Sequence, residues 1–124
     1  MTLPIITDIR DRNHFLELLH TNPGLFLIKF GAEWCGPCRT INQGVKYYFE
    51  NMPDNVQCAI IDIDINFDIY SFLRSKRVVN GVPVILCYIK DNLTHVPNDL
   101  VIGADKKQIM DFFIRCNNLT TVQE

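Results

Sequence analysis

Five consecutive residues, Trp34-Cys35-Gly36-Pro37-Cys38, constrain this chain more than any other stretch. Two cysteines separated by two residues can close a tight, reversible disulfide, provided the backbone brings their side chains together. Gly36 and Pro37 suit a turn that opens into a helix, because proline is favoured at the first helical position. Ahead of the motif, Leu25-Phe26-Leu27-Ile28 reads as a buried strand. Behind it, Ile41, Val45, Tyr48 and Phe49 recur at helical spacing, with a stop near Asn51-Met52-Pro53. The cysteines therefore fall where a strand gives way to a helix, the place where functional groups collect in open α/β sheets. Unpaired N–H groups and the helix dipole stabilise a thiolate there.

The spacing alone leaves two readings, a redox pair or half of a four-thiolate zinc site. Zinc needs a second close pair of ligands. Cys58, Cys87 and Cys116 are isolated from one another, and His14, His20 and His95 form no paired spacing, so no metal ligand set is assigned. The three further cysteines lie on expected core faces and read as structural, since unpaired cysteine is among the most buried residue types.

Ala32-Glu33-Trp34-Cys35-Gly36-Pro37-Cys38 resembles the active-site stretch of the thioredoxin family. Val82-Pro83, just ahead of an apolar run, is similar to that family's proline loop. The resemblance runs from about residue 5 to residue 116. It implies that Cys35 is the nucleophile and Cys38 the cysteine that resolves the mixed disulfide. Trp34, Gly36 and Pro37 would then border a substrate groove. A cis Pro83 would expose the Val82 backbone to a substrate peptide, and Gly103 would stand at the far rim.

The remaining chain agrees with such a fold. Residues 3–7 read as an edge strand, and Asp11 can cap a helix running to about His20, stopped by Asn22-Pro23-Gly24. Residues 56–63 form an almost continuous apolar run, residues 68–74 a helix, and Asn80-Gly81 a turn. Residues 84–89 and 100–103 read as strands about a turn at Lys90-Asp91-Asn92. Asp105, with Gln108 three residues on, resembles a capping box for a last helix. The order implies an α/β protein of thioredoxin fold, a central mixed sheet of about five strands flanked by about four helices. Residues 1–124 are read as one domain.

A net charge of −2 gives no broad basic footprint for nucleic acid. No apolar run approaches the roughly 20 residues that cross a bilayer, so no membrane partner is read. The N-terminus lacks a secretory pattern, and a reducing cytoplasmic setting is expected, where a C-x-x-C is more often catalytic than structural.

Lys29 is the chief departure from the family pattern, which commonly places a buried aspartate there to take the proton from the resolving cysteine. A charged lysine cannot accept that proton, so Lys29 becomes a candidate for modulating the cysteine acidities. It is expected to pair with Asp62 or Asp64, or to snorkel to the surface. Ile60 stands where the family has a buried lysine, Gln43 where a kinking proline is frequent, and Gly31 where a larger side chain is common. Arg74, Lys76 and Arg77 bring positive charge toward the proline loop.

The resemblance implies a monomeric protein-disulfide reductase without a bound cofactor. It would act on disulfide-containing proteins and be re-reduced by an external donor dependent on NADPH and flavin. Proline between the cysteines favours reduction over oxidation. The rival reading is an interaction module that holds peptides in the Trp34–Pro83 groove and turns over poorly.

Overall fold

Strand β1 (Leu25–Gly31) is buried at all seven positions and is the axis of the molecule. In the computed structural model, which describes residues 2–123 with side chains through residue 119, it lies inside a four-stranded sheet. The strand order is β2-β1-β3-β4. Strand β2 (Val56–Asp62) runs parallel to β1, β3 (Val84–Ile89) runs antiparallel to β1, and β4 (Asp99–Ile102) runs antiparallel to β3. The parallel pair is joined by helix α2 (Gly36–Glu50) and the antiparallel pair β3–β4 by a loop.

Alternation along β1 sorts its side chains between two cores. Phe26, Ile28 and Phe30 pack with Phe15 and Leu19 of α1 (Arg12–His20) and with Ile69 and Leu73 of α3 (Phe67–Ser75). Leu25 and Leu27 pack with Ile41, Val45 and Phe49 of α2 and with Phe112 and Phe113 of α4 (Lys106–Gln123). Each of these fully buried side chains contributes on the order of 1.5–3 kcal/mol of hydrophobic stabilisation. The same alternation puts Lys29 on the α2 face, in line with Leu25 and Leu27.

The capping signals act as the sequence implies. Asp11 Oδ1 accepts from the His14 N–H at 2.8 Å, and Asp105 Oδ1 accepts from the Gln108 N–H at 2.9 Å. Each satisfies a donor that the first helical turn leaves without a partner. Gly24 answers a different demand. A Cβ there would stand 2.6 Å from the Asn55 carbonyl oxygen, so the close approach of these two turns requires glycine.

The sheet differs from expectation at its edge. Residues 3–7 do not form a fifth strand; only Ile6 bridges to Ala59. The Ile6 N–H donates to the Cys58 carbonyl at 2.9 Å, and the Ile6 carbonyl accepts from the Ile60 N–H at 2.9 Å. Two residues earlier stands Pro4, which has no N–H to extend the ladder. Among the described residues, no helix is long and apolar enough to cross a membrane.

Candidate active site

At the end of β1 the chain turns through Ala32 and Trp34 into α2, and Cys35 is the residue that caps this helix. Its backbone is extended (φ −86°, ψ 107°), and its Sγ accepts a hydrogen bond from the Cys38 N–H at 3.1 Å. Gly36 and Pro37 are the first two helical residues, and proline costs nothing there because its missing N–H would have had no helical acceptor. Cys38 follows within the first turn. Cys35 and Cys38 are disulfide-bonded, with their Cα atoms 5.3 Å apart. Cys35 is the less buried of the two, 5% exposed against 1%.

The proline loop faces this disulfide. Cys35 Sγ lies 3.7 Å from the Val82 carbonyl oxygen, and the Val82–Pro83 peptide bond is cis. Two hydrogen bonds hold the loop. The Gly81 N–H donates to the Tyr70 hydroxyl at 2.9 Å, tying the loop to α3. The Gly103 N–H donates to the Pro83 carbonyl at 2.9 Å, tying it to the turn after β4. Gly103 does this at φ +91°, a backbone conformation that favours glycine. Trp34 stands beside the pair, 65% exposed, its Nε1–H donating to Asp64 Oδ2 at 2.8 Å. The structure thus brings the Trp34-Cys35-Gly36-Pro37-Cys38 stretch against the Val82–Pro83 loop through Cys35 Sγ, and Gly103 reaches the loop through the Pro83 carbonyl.

Lys29 sits behind the disulfide rather than in the groove. It is 3% exposed, so it does not snorkel. Nor does it pair with Asp62 or Asp64; its Nζ donates to Asn42 Oδ1 on α2. The carboxylates have other duties, because Asp64 Oδ2 accepts from Trp34 and Asp62 Oδ1 accepts from the Asp64 N–H. Gly31 lies between Lys29 and the disulfide. A Cβ on Gly31 would stand 3.6 Å from Cys38 Sγ and 3.7 Å from Lys29 Nζ, so these two atoms approach across the space a side chain would fill. Burial holds the Lys29 pKa below its ordinary value. A hollow of about 400 Å3, lined by Lys29, Gly31, Glu33, Asn42 and Asp62, leads to this spot.

Asn42 and Tyr70 are site residues that sequence reasoning did not single out. Asn42 was within reach of such reasoning, since four residues after Cys38 is one helical turn along the same face of α2. Tyr70 meets Gly81 only through the tertiary fold. A second hollow of about 570 Å3, between α2 and α4, is lined by Tyr47, Tyr48, Ile109 and Met110 and includes none of these groups.

Cys58, Cys87 and Cys116 are buried in the α2–α4 core, in keeping with a structural role. Burial, and then the neighbouring Cys116, push the Cys58 thiol up to about 12, which removes its nucleophilicity at neutral pH. Among the described residues, no group of three or more His, Cys, Asp or Glu side chains is placed to hold a metal ion.

Fold and site together define an α/β protein with a C-x-x-C disulfide at a helix start, faced by a cis-proline loop. Comparison with known proteins agrees. The family model described as Thioredoxin matches residues 6–115. Thioredoxin 3 of Plasmodium falciparum is 32% identical over 93 residues, covering 75% of this chain and 48% of that protein. Thioredoxin-2 of Saccharomyces cerevisiae is 25% identical over 84 residues, covering 68% of this chain and 76% of that protein. The crystal structure of Fasciola hepatica thioredoxin superposes with a TM-score of 0.69 at 26% identity, covering 89% of this chain and 98% of that one. The chain belongs to the thioredoxin family. It covers less than half the length of the first curated relatives that it matches, 48%, 49% and 21% of them.

Proposed function

We propose that this protein is a thiol–disulfide oxidoreductase that reduces protein disulfides through its Cys35–Cys38 pair. The observation that carries this reading is the position of Cys35 Sγ, which caps α2 and faces the Val82 carbonyl. In the reduced protein a Cys35 thiolate would take the Cys38 N–H and the helix dipole as its stabilising partners. It attacks one sulfur of a substrate disulfide, forming a mixed disulfide and expelling the other substrate sulfur as a thiolate. The Cys38 thiolate then attacks Cys35 Sγ, closes the internal disulfide and releases the second substrate thiolate. Two electrons have passed to the substrate, and an external donor must return the pair to the dithiol form. A reductase dependent on NADPH and flavin fits that part, and no resident cofactor is required by the chemistry.

The groove supports the substrate's backbone. The peptide edge of Val82 is available for strand-like pairing beside the reacting sulfurs, and the exposed face of Trp34 can carry an adjacent side chain. Lys29 acts at the second step. Its ammonium, placed across Gly31 from Cys38, favours the Cys38 thiolate that performs the resolution. The intact cysteine pair and the family membership favour turnover over a silent binding module. A cytoplasmic setting and a monomer agree with the reducing chemistry and are part of the same proposal.

Insulin reduction with dithiothreitol as the electron source tests the reading. The wild-type protein should accelerate precipitation of the insulin B chain, and Cys35→Ser should abolish the effect. Cys38→Ser should instead accumulate a covalent adduct through Cys35, visible by mass spectrometry. A wild-type protein that forms its disulfide yet leaves insulin intact would overturn the reductase assignment.

A further inference from the structure

Trp34 stands between two hollows of opposite charge. The first, about 400 Å3, is walled by Trp34, Tyr70, Arg74, Asn80 and Val82, and Arg74 is the only charged residue lining it. The second, about 500 Å3, is walled by Trp34, Ile65 and three carboxylic acids, Glu33, Asp62 and Asp64. Cys35 Sγ lies beside the Val82 carbonyl that borders the first.

Arg74 is available for a ligand. It is exposed in the last turn of α3 and makes no ion pair among the described residues. Its polar neighbour Tyr70 is occupied, since its hydroxyl accepts from Gly81 and holds the loop. The cations that follow are directed elsewhere or separately placed. Lys76 Nζ lies over the Phe72 ring at 5.9 Å, and Arg77 sits at φ +61° beyond the helix end.

We propose that the Arg74 pocket reads an acidic side chain beside the substrate's reacting cysteine, so that the preferred substrates carry Asp or Glu on one flank of that cysteine only. The proposal rests on the reductase reading above. In this proposal a peptide pairs along Val82, and the side chain on one flank of its cysteine reaches the Arg74 hollow that Val82 borders. A shift toward the far side of Trp34 brings the other flank to the acidic hollow. A carboxylate on one side meets a guanidinium whose planar fork matches it. A carboxylate on the other side meets Glu33, Asp62 and Asp64 and is repelled. The discrimination is therefore one of placement as well as of charge. Each such contact is solvent-exposed, so the expected difference between the two placements is roughly three- to tenfold in kcat/KM, carried mainly by KM. Screening at high salt should shrink it.

Quenched fluorescent peptides with an intermolecular disulfide test this, with dithiothreitol regenerating the full-length protein. The reacting cysteine is flanked by Glu on its N-terminal side, by Glu on its C-terminal side, by Lys at either place, or by Ala at both. One Glu placement should be preferred over the other and over Lys at the same position, and 0.5 M NaCl should weaken the preference. Arg74→Lys, which keeps the charge without the planar fork, should weaken the preference without reversing it, whereas Arg74→Glu should reverse it toward Lys. Circular dichroism of both variants establishes that they are folded. Equal kcat/KM for the two Glu placements, or a preference that survives Arg74→Glu, would overturn the proposal while leaving the reductase reading intact. Failure to reduce even the Ala-flanked peptide would instead sink the reductase reading and this proposal with it.

Discussion

Replacing Lys29 by methionine isolates the effect of one charge on the second chemical step. Methionine keeps an unbranched side chain, one atom shorter, and removes the ammonium. Lys29 Nζ and Cys38 Sγ lie 3.7 and 3.6 Å from the Cβ position of Gly31, so their separation is at most on the order of 7 Å. At an effective dielectric of about 20, unit charges at that distance attract by about 2 kcal/mol. Water entering the hollow that Lys29 lines weakens this by about half. The remaining attraction of about 1 kcal/mol, half the unscreened value, corresponds to a roughly five- to eightfold loss of Cys38 thiolate reactivity at neutral pH. The first attack, by Cys35, should change less. Stopped-flow fluorescence of Trp34, the only tryptophan, follows both steps, and acid quenching with mass spectrometry counts the mixed disulfide. Lys29→Met should accumulate that intermediate where the wild type does not. The pH dependence sharpens the test. Burial lowers the Lys29 pKa, so its charge is lost as pH rises through that lowered value. Glu33 and Asp62 face the same hollow. Wild-type and variant resolution rates should therefore converge at alkaline pH. Equal rates at pH 7 in a folded Lys29→Met protein would refute the reasoning.

The same substitution should alter stability. The unfolded chain holds the Lys29 proton up to about pH 10.5, whereas the folded chain releases it earlier. Wild-type stability should thus rise with pH through the interval below 10.5, and urea titrations of Lys29→Met should lack that component. Gly31→Ala adds a Cβ in ordinary contact and should stabilise by about 0.4–1 kcal/mol, while Gly24→Ala collides with the Asn55 backbone and should destabilise by about 1–3 kcal/mol. Urea midpoints measured side by side decide between the two signs. Iodoacetamide applied to the reduced, folded protein at pH 7.5 should label Cys35 first and leave Cys58 untouched. Peptide mapping that finds Cys58 labelled as fast as Cys35 would contradict its burial and raised pKa.

What could be read from the sequence was what is local. The start of α2 follows from Cys35-Gly36-Pro37-Cys38, the caps from Asp11 and Asp105, and the buried strand β1 from the apolar run at residues 25–28. The edge strand expected at residues 3–7 shrinks to a single bridge at Ile6, since Pro4 has no N–H to extend the pairing. The partner of Lys29 was misassigned for a different reason. Opposite charge pointed to Asp62 and Asp64, but those carboxylates are engaged by the Trp34 indole and by the Asp64 backbone. Such prior commitments arise only when separate elements meet. Charge pairing inferred from a sequence takes every carboxylate as uncommitted. In the folded chain a neutral amide on the nearest helix face was the closer acceptor.

Because the atom that begins the reaction is also the atom that closes the first turn of α2, the redox state is written into the helix itself. A disulfide sulfur is a weak acceptor for the Cys38 amide and a thiolate is a strong one. Every cycle of electron transfer therefore tightens and loosens the same peptide N–H. The Cys38 amide proton is thus a built-in gauge of oxidation.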